Sequence, residues 1–284
     1  MLAINVIFGI IKYENGNKYI CQKQNNLREG LGMLYYSNGN KYKGEFKNDV
    51  KEGFGILIDS FGNRYEGEFK NNLKEGYGIK YNIEGGIYRG EWKKDKKEGL
   101  GEYFNPNKGL YKGQWKNDLM EGYGIFYTSN RNRFEGEFKN GNQDGYGIEY
   151  TTEGIIEGIW NEKNLEGFVI MKYNNNFLFK GQRKNDKIEG YGIQYLNGNK
   201  YKGEWKDNKI EGYGIFISSN GDIYKGEWKN NEWNGYGTFF TSNGDKYEGE
   251  WKNNKKEGYG IYYLSNGAKY EGLFKNDLFL KEGI

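Results

Sequence analysis

Apolar and polar residues alternate along this chain in short runs that return at a fixed interval. In residues 42–47, Tyr-Lys-Gly-Glu-Phe-Lys, the tyrosine, glycine and phenylalanine fall on one side of an extended chain and the charged residues on the other. This period of two predicts a half-buried β-strand. The phrase returns at residues 65–70 and again at 88–93. An internal period in the range of about 20–50 residues indicates a repeat architecture, so we expect function on an extended surface and not in one pocket.

The repeat divides nearly the whole chain into units, and the residue that opens each unit is taken here as position 1. Nine of the eleven units contain 23 residues, and the two that begin at Phe134 and Phe179 contain 22. Residues 1–18 and 270–284 form partial repeats. Because a repeat array is one quasi-one-dimensional domain of any length, residues 1–284 are predicted to form a single domain. The units begin at Tyr19, Tyr42, Tyr65, Tyr88, Tyr111, Phe134, Ile156, Phe179, Tyr201, Tyr224 and Tyr247.

Each unit contains a second alternating segment after a polar loop, as in residues 53–58, Gly-Phe-Gly-Ile-Leu-Ile. Several of these segments are followed by Asn-Gly, the strongest short-range signal for a β-hairpin with a type I′ turn. Consecutive strands are therefore expected to pair antiparallel and, since neighbouring strands twist by roughly 20–25°, to coil. The predicted fold is all-β: a single elongated, twisted antiparallel β-meander of eleven hairpin repeats. The Asn-Gly pairs are Asn38-Gly39, Asn197-Gly198, Asn220-Gly221, Asn243-Gly244 and Asn266-Gly267.

Two glycines recur in the second strand of the unit. Position 12 is glycine in all eleven units, and position 14 is glycine in ten, with Val169 as the exception. A glycine pair in a strand lets a bulky group approach closely or lets the strand bend. The large rings at positions 1 and 5 are the expected occupants of that space. The glycines are therefore interpreted as structural and not as a phosphate-binding loop.

Residues suited to catalysis or metal binding are scarce. The absence of histidine excludes Ser-His-Asp triads, Cys-His pairs and histidine-bearing zinc sites. Cys21 stands at a glycine position of the first strand and is interpreted as a small buried substitute. Position 11 is acidic in ten units, and such a ladder of equivalent carboxylates favours loop contacts and cross-strand charge pairing over paired catalytic acids. The sequence therefore predicts no enzymatic activity, no cofactor and no metal.

The charge balance limits the expected partners and compartment. There are 42 Lys and Arg against 39 Asp and Glu without a basic block, so nucleic acid is not an expected partner. The single cysteine and the absence of Asn-X-Ser/Thr are typical of a reducing, intracellular compartment. The apolar residues 1–11 lack the basic start and cleavage site of a secretory signal and are too short to span a bilayer. An edge strand is predicted there.

The phrase Tyr-x-Gly-Glu-Trp-Lys-x-x-x-x-x-Gly-x-Gly, as in residues 247–260, resembles the MORN repeat (membrane occupation and recognition nexus). The resemblance covers roughly residues 9–284. It implies an elongated antiparallel sheet whose groove holds peptides or helices, and lipid binding is also claimed for the family. MORN arrays occur beside kinase, methyltransferase or membrane-anchor segments, and nearly alone in cytoskeletal and axonemal proteins. Because no unmatched segment approaches the roughly 100 residues of a catalytic domain, this chain is similar to the stand-alone scaffold type.

The leading hypothesis is a non-enzymatic scaffold or adaptor of a cytoskeletal or ciliary (axonemal) assembly, located in the cytoplasm, cytoskeleton or cilium. Aromatic rings on one sheet face would grip a helix or extended peptide of a partner protein, because rings offer a large contact area at low entropy cost. Either face of the sheet is a candidate for this groove. The candidate groove residues are Tyr42, Tyr65, Trp92, Trp115, Trp160, Trp205, Trp228 and Trp251.

The alternative hypothesis is a peripheral membrane tether that binds anionic phospholipid or phosphoinositide. Such a tether requires a one-sided cationic cluster, which gains roughly 1 kcal/mol per Lys or Arg near anionic lipid. Lysines at positions 2 and 6 are interleaved with glutamate at position 4, as in Lys202, Glu204 and Lys206. Their fields largely cancel, so the scaffold is favoured over the lipid-binding tether.

Apolar residues at both ends of the array indicate association with a second copy or with a neighbour, because an open sheet edge invites pairing. A homodimer through a terminal edge strand is one candidate arrangement. The candidate residues are Ile4, Ile7, Phe8, Leu278, Phe279 and Leu280.

Residues 134–200 depart most from the repeat pattern, with both 22-residue units, Val169 in place of glycine and Arg183 in place of a position-5 aromatic. This irregularity indicates either drift in tolerant middle units or a partner-specific patch. A one-residue deletion in a loop or strand is expected to alter the local register or twist.

Overall fold

Twenty-five β-strands and no helix make up the described residues of the computed structural model, which are 7–24 and 27–280. For residues 7–8 and 21–23 the description covers the backbone alone. The prediction of an all-β fold of antiparallel hairpin repeats is confirmed. The chain divides into two compact units, Met1–Gln143 and Asp144–Ile284. The Ile4 side of the predicted end contact lies outside the described residues.

The first unit is a meander in which each strand pairs antiparallel with its sequence neighbours, as β4 does with β3 and β5. Its strands are β1 (Ile7–Lys12), β2 (Lys18–Gln24), β3 (Leu27–Tyr35), β4 (Lys41–Lys47), β5 (Val50–Ile58), β6 (Arg64–Lys70), β7 (Leu73–Tyr81), β8 (Ile87–Lys93), β9 (Lys96–Asn105), β10 (Gly109–Lys116), β11 (Leu119–Thr128) and β12 (Arg133–Lys139).

The second unit repeats the same arrangement, with β18 paired to β17 and β19 as an example. Its strands are β13 (Asn142–Tyr150, which starts two residues before the boundary), β14 (Gly154–Asn161), β15 (Asn164–Tyr173), β16 (Phe177–Lys184), β17 (Lys187–Leu196), β18 (Asn199–Lys206), β19 (Lys209–Ile217), β20 (Ile223–Lys229), β21 (Glu232–Phe240), β22 (Lys246–Lys252), β23 (Lys255–Tyr263), β24 (Lys269–Lys275) and β25 (Leu278–Leu280).

The register places two kinds of residue on opposite faces of each sheet. Tyr42 lies opposite Leu57, and Lys43 lies opposite Ile56. Directly opposed residues share a face. We call the face that carries positions 1, 3 and 5 of the first strand and positions 10, 12, 14 and 16 of the second strand the ring face. The face that carries positions 2, 4 and 6 and positions 11, 13, 15 and 17 is called the opposite face.

The core lies on the ring face, where each position-1 ring covers the paired glycines. A Cβ atom added to Gly44 would lie 2.5 Å from both the Tyr42 hydroxyl and the Cα atom of Gly55. A side chain at either glycine would therefore displace the ring. The interpretation of the position-14 glycines as space for a large ring is confirmed.

The position-12 glycines have a different role, since they sit in a β-bulge. The register shifts between Gly44 and Phe46, and Gly53 adopts a φ of +69°. The Glu45 carboxylate fills the space beside Gly53 and accepts the backbone N–H of Phe54 at 3.3 Å. The glycine at position 12 and the glutamate at position 4 therefore act together. The left-handed backbone at the glycine leaves the N–H group of the next residue unpaired in the sheet, and the glutamate carboxylate accepts that N–H.

The turns within the units correct part of the sequence prediction. The two-residue turn Asn48-Asp49, which joins the two strands of a unit, has positive φ at both residues, as a type I′ turn requires. At Asn38-Gly39 only the glycine has positive φ, and the N–H of Gly39 donates to the carbonyl of Tyr36. The type I′ prediction is wrong there and at three other Asn-Gly pairs, because these loops are one residue longer and combine a type I turn with a glycine bulge. It is right at Asn197-Gly198.

Candidate protein-binding surfaces

The eight rings predicted as groove residues form the core of the ring face. Their exposed fractions lie between 1 and 8 %. These rings therefore make the floor of this face and offer a partner little direct contact, which revises the role expected for them. They are Tyr42, Tyr65, Trp92, Trp115, Trp160, Trp205, Trp228 and Trp251.

The buried rings form an edge-to-face series through the regular repeats of each unit, which is interrupted where Ile156 and Arg183 replace rings. Tyr42 packs against Phe46 of its own repeat and Phe69 of the next, both at 5.1 Å between ring centroids. In the second unit Tyr224 makes the same contacts with Trp228 and Trp251. Aromatic pairs prefer this edge-to-face geometry, and each adds about 0.5–1.5 kcal/mol beyond area burial. The series therefore links neighbouring regular repeats through their cores.

The tyrosine hydroxyls of the core are paired with the backbone. The Tyr42 hydroxyl donates to the carbonyl of Glu45 at 3.0 Å, and that of Tyr224 donates to the carbonyl of Glu227 at 2.9 Å. Burial raises the pKa of both phenols, and the nearby glutamate charges raise it further. These hydroxyls are held protonated and bonded within the fold, so they are not free for a ligand.

Position 10 of the ring face is cationic in the first four repeats and apolar in several later ones. In the first unit it is Arg28, Lys51, Lys74 and Lys97 in successive repeats. The Lys97 ammonium lies 4.4 Å from the centroid of Trp115 and 5.2 Å from that of Tyr88. Burial lowers the pKa of Lys97, and the Asp118 charge opposes that shift. Cation–π contacts of this kind hold the cations over the rings, so these side chains cover the core rings of the first four repeats.

In the second unit the same position is apolar in four successive repeats. Trp233 stacks on Tyr224 at 4.3 Å between centroids and lies edge-on to Trp251 at 5.0 Å. Beside it, Ile210 and Phe216 border a depression of about 480 Å³. In these four repeats position 10 of the ring face is therefore apolar, whereas Lys256 of the last repeat again lies over Tyr247 and Tyr262. The four residues are Leu165, Ile188, Ile210 and Trp233.

The opposite face carries a row of exposed large side chains, most of them aromatic, which were not among the predicted groove residues. Position 13 is a large apolar residue in every repeat, with exposed fractions from 49 to 66 %. The alternation of side chains along the strand could have identified this row. The glycines at positions 12 and 14 face the core rings, so position 13 between them must face the other way. We call these residues the outer row. They are Leu31, Phe54, Tyr77, Leu100 and Tyr123 in the first unit and Tyr146, Phe168, Tyr191, Tyr213, Tyr236 and Tyr259 in the second.

Successive outer-row residues lie on every second strand, and a position-4 side chain on the strand between them separates them. Tyr213 lies opposite Glu227, and Tyr236 lies opposite Glu250. The Glu227 carboxylate accepts the backbone N–H of Tyr236 at 3.3 Å, so the bulge that fixes this glutamate also fixes the strand that presents the tyrosine. The outer row is therefore presented on a rigid backbone.

The predicted terminal contact residues are exposed where they are described. Leu278, Phe279 and Leu280 form β25, which pairs with β24. Ile7 and Phe8 lie in β1, where the description covers only their backbone. The apolar run at residues 278–280 is thus accessible to a partner in the described part of the chain.

The position-11 carboxylates bind turns. The Glu52 carboxylate accepts the backbone N–H of Asn71 at 3.0 Å, and that of Glu211 accepts the N–H of Asn230 at 2.9 Å. Asx side chains at position 8 return the contact, since Asn72 accepts the N–H of Lys51 at 2.9 Å. Successive repeats are thereby tied at the hairpin ends. Within the described residues no group of three or more His, Cys, Asp or Glu side chains is arranged to hold a metal ion.

The irregular repeats keep the sheet register. Gly158 still lies opposite Val169, and Gly181 lies opposite Gly192. The 22-residue units are shortened in their turns, at residues 151–154 and at Asn197-Gly198, so the predicted change of register is not found. Val169 replaces glycine where Ile156 replaces the position-1 tyrosine, and the valine side chain is fully buried in the freed space.

Comparison with known families identifies the repeats. The model of the MORN repeat matches nine segments that together cover well over half of the chain. The chain belongs to the MORN repeat family. The matched segments leave out residues 155–200, which contain the aliphatic core substitutions. They are residues 22–41, 42–64, 65–85, 88–109, 111–133, 134–154, 201–223, 224–246 and 247–269.

Other comparisons add little about function. No curated protein matches the sequence. Among solved structures, the TCP domain of SAS-4 from Drosophila melanogaster, in complex with a proline-rich motif of Ana2, is 14 % identical, with 62 % of this chain and 85 % of that chain covered at a TM-score of 0.28. The TCP10 domain of Danio rerio CPAP, as the E1021V mutant, is 10 % identical, with 76 % and 96 % covered at a TM-score of 0.31. Virginiamycin B lyase from Staphylococcus aureus is 15 % identical, with 94 % and 84 % covered at a TM-score of 0.13.

A search of the described residues for a helix long and apolar enough to cross a membrane finds none.

Proposed function

We propose that this MORN repeat protein is a non-enzymatic scaffold or adaptor that binds a helix or extended peptide of a partner protein. The observation that carries the proposal is the outer row, in which eleven repeats each expose a large apolar side chain that the core does not use. Exposed apolar patches on soluble proteins mark interaction surfaces. Aromatic residues also dominate binding energy at protein interfaces.

The setting proposed for this scaffold is a cytoskeletal or ciliary assembly. The resemblance to the MORN arrays of cytoskeletal and axonemal proteins supports this setting, and the repeated surface supports a role in holding partners. No histidine is available for general acid–base chemistry, and the position-4 and position-11 carboxylates are engaged by backbone N–H groups. These observations support a protein without enzymatic activity.

Binding through the outer row is tested with Tyr213→Ser, Tyr236→Ser and Tyr259→Ser combined in one full-length chain. The control combines Lys206→Ser, Lys229→Ser and Lys252→Ser, which changes exposed residues of the same repeats. Partners recovered from native cell extract are quantified by mass spectrometry, and circular dichroism checks the fold. We expect the tyrosine variant to lose its partners by several-fold or more while the lysine control retains them. Equal recovery by both folded variants would contradict binding through this row and point to the ring face.

The membrane tether is the second candidate function, and co-sedimentation with anionic liposomes at physiological salt distinguishes it from the scaffold. We expect little sedimentation with lipid, because lysine and glutamate alternate on the opposite face, as in Lys202 and Glu204. Strong, salt-sensitive sedimentation of the wild-type chain would favour the tether over the scaffold.

End-to-end association, as a homodimer or inside a complex, is proposed as a further property of the scaffold. The exposed apolar run of β25 supports it, because an edge strand presents unpaired N–H and C=O groups. Light scattering on the full chain and on Leu278→Lys with Leu280→Lys tests the idea. A monomer in both proteins at tens of micromolar would count against self-association and leave only a heterologous cap.

A further inference from the structure

One patch of the opposite face in the first unit lacks the charges that interrupt this face elsewhere. Ile10, Ile20 and Met33 are direct cross-strand neighbours on β1, β2 and β3. Position 2 is charged in the ten following units, whereas Ile20 occupies it here. Ile10 and Met33 are 61 % and 36 % exposed. The result is an apolar row three strands wide, which we call the aliphatic patch.

The aliphatic patch forms the floor of a depression. Leu31, Phe54 and Ile56 border the same space, whose volume is about 560 Å³. Lys43 and Glu45 are the only charged residues that line it among the described residues. The Glu45 carboxylate already accepts the N–H of Phe54 at 3.3 Å. The depression is thus an apolar cleft whose acidic border group is in use.

A group of lysines flanks the patch on one side. Lys12 lies opposite Lys18 on the neighbouring strand, and Lys41 lies opposite Tyr35 in the same line across the sheet. Among the described residues no carboxylate lies within ion-pair distance of Lys12, Lys18, Lys41 or Lys43. Lys18 and Lys41 stand directly before position 1 of their repeats, and four later basic residues at that place pair with a glutamate at position 2, as Lys246 does with Glu248 at 2.9 Å. Lys12, Lys18 and Lys41 flank the row, and Lys43 stands at its end, opposite Met33. We call these four lysines the lysine rim.

We propose that the aliphatic patch and the lysine rim bind an amphipathic helix of a partner protein that carries acidic residues along one flank of its apolar stripe. The inference rests on the proposed scaffold function and names the class of partner. Charge complementarity sets the acidic flank, since Lys12, Lys18 and Lys41 line one side of the apolar floor. The apolar stripe of the helix covers Ile10, Ile20 and Met33.

The spacing of the patch fits a helix. Neighbouring strands are about 4.8 Å apart, so the three aliphatic residues span about 10 Å across the sheet. Residues i, i+3 or i+4, and i+7 of an α-helix rise by about 4.5–6 Å per step and cover about 10.5 Å. Two helical turns laid across the strands therefore place one apolar side chain over each aliphatic residue.

The shape of the site favours a helix over a lipid surface, although both would complement apolar and cationic groups. Leu31 and Phe54 stand beside the floor and make it concave. A ridge of helix side chains enters a cleft of this kind. A flat bilayer would meet Leu31 and Phe54 first and leave the floor uncovered.

The test uses a designed helical peptide with leucine at i, i+3, i+4 and i+7 and glutamate along one flank. A second peptide has the same leucines with lysine in place of each glutamate. Binding to the full-length chain is measured by fluorescence anisotropy at two salt concentrations. We expect the acidic peptide to bind about tenfold more tightly than the basic peptide, and the difference to shrink at high salt.

Ile20→Lys is the decisive variant. It places a charged side chain at position 2, as in the other repeats, so the variant protein should fold. We expect about a tenfold loss of affinity for the acidic peptide with an unchanged melting temperature. Ile215→Lys, an equivalent change on the opposite face of the second unit, is the matched control and should bind normally. Lys18→Glu with Lys41→Glu should weaken the acidic peptide and strengthen the basic one.

Equal affinity for the two peptides, or normal binding by folded Ile20→Lys, would overturn the proposal. So would a site better explained by another occupant. Vesicles of phosphatidylcholine and phosphatidylserine in equal parts that bind wild-type but not Ile20→Lys would assign the patch to a membrane. A dimer that Ile20→Lys dissociates would assign it to a second copy. The outer-row variants test the scaffold function independently. A negative result for the aliphatic patch therefore leaves the proposed scaffold function in place.

Discussion

At the scale of residues, the core depends on aromatic rings that pack over glycines, because glycine has no side chain to displace the ring. Tyr42 covers Gly44 and Gly55, and a Cβ on either glycine would meet the ring. The one repeat that breaks this rule does so at both positions, with Ile156 for the tyrosine and Val169 for the glycine. A Cβ on Gly158 would lie 2.8 Å from Leu165 Cδ1 and 3.0 Å from Val169 Cγ1, so the valine and the leucine together occupy the volume left by the missing ring. The two substitutions compensate in volume.

This compensation predicts coupled mutations. Ile156→Tyr alone should cost about 1–3 kcal/mol of unfolding free energy, because the new ring overlaps Val169. Val169→Gly alone should cost about 2 kcal/mol or more, because it empties a fully buried site. The double variant restores the pattern of the other repeats and should be more stable than the sum of the single effects by about 1 kcal/mol or more.

Denaturant unfolding of the four proteins measures this coupling. Additive free energies would show that the ring and the valine do not occupy the same volume.

The bulge glycine carries a second prediction at this scale. Gly76 has a φ of +65° and the Glu68 carboxylate packs beside it, accepting the N–H of Tyr77 at 3.2 Å. Gly76→Ala should destabilise the fold by about 1–2 kcal/mol for the left-handed backbone, plus the displacement of the carboxylate. Thermal unfolding measures the loss. Gly62, which also has positive φ but more open surroundings, is the matched control, and Gly62→Ala should cost less.

At the scale of elements, the hairpin is fixed by its turns and the turns tolerate length changes. The two positive-φ residues Asn48 and Asp49 close one end of the hairpin, and a type I turn with glycine closes the other. Both 22-residue units lose their residue in a turn of the second kind, and the glycine pairs stay in register. Strand pairing therefore does not depend on the length of this turn.

Insertion of one serine after Leu196 tests this tolerance. The insertion restores a 23-residue unit at a turn that protrudes from the sheet. We expect the unfolding free energy to change by less than about 0.5 kcal/mol, because surface-loop insertions have a small entropic cost. An equivalent insertion after Gly203, inside β18, should be strongly destabilising because it shifts every following side chain to the other face. Similar losses at both sites would contradict the assignment of the deletion to the turn.

At the scale of the whole molecule, the same core motif recurs through both units. Seven core tyrosines have their pKa raised, chiefly by burial: Tyr42, Tyr65, Tyr88, Tyr111, Tyr201, Tyr224 and Tyr247. The unfolded chain ionises its tyrosines near pH 10. Their contribution to stability is therefore complete below pH about 10 and is lost as the pH rises toward the folded-state pKa.

This linkage predicts cooperative alkaline unfolding. Above pH about 10 the unfolded state ionises its tyrosines while the folded state holds these seven protonated, so each one lowers the unfolding free energy and their effects add. Absorbance at 295 nm should show the exposed tyrosines titrating first and the buried ones only when the circular dichroism signal is lost. A single smooth titration that leaves the sheet intact would show that the core phenols are accessible.

Much of this fold follows from the sequence alone. The alternation in residues 42–47 specifies a strand, and the Asn-Gly and Gly-x-Gly positions specify hairpins with closely covered glycines. These features are determined locally, because side chains alternate with a period of two and only glycine fits beneath a ring or in a left-handed bulge. The family followed from the same residues.

The tertiary structure decided which aromatics are core and which are surface. Tyr224 and Tyr236 lie on the two adjacent strands of one repeat, yet the first is buried and the second is exposed. Their faces depend on the register between strands and on the bulge at Gly235, which are set by pairing between segments and not by either segment alone. The aliphatic patch was hidden for the same reason, because Ile10, Ile20 and Met33 meet only when three strands are aligned.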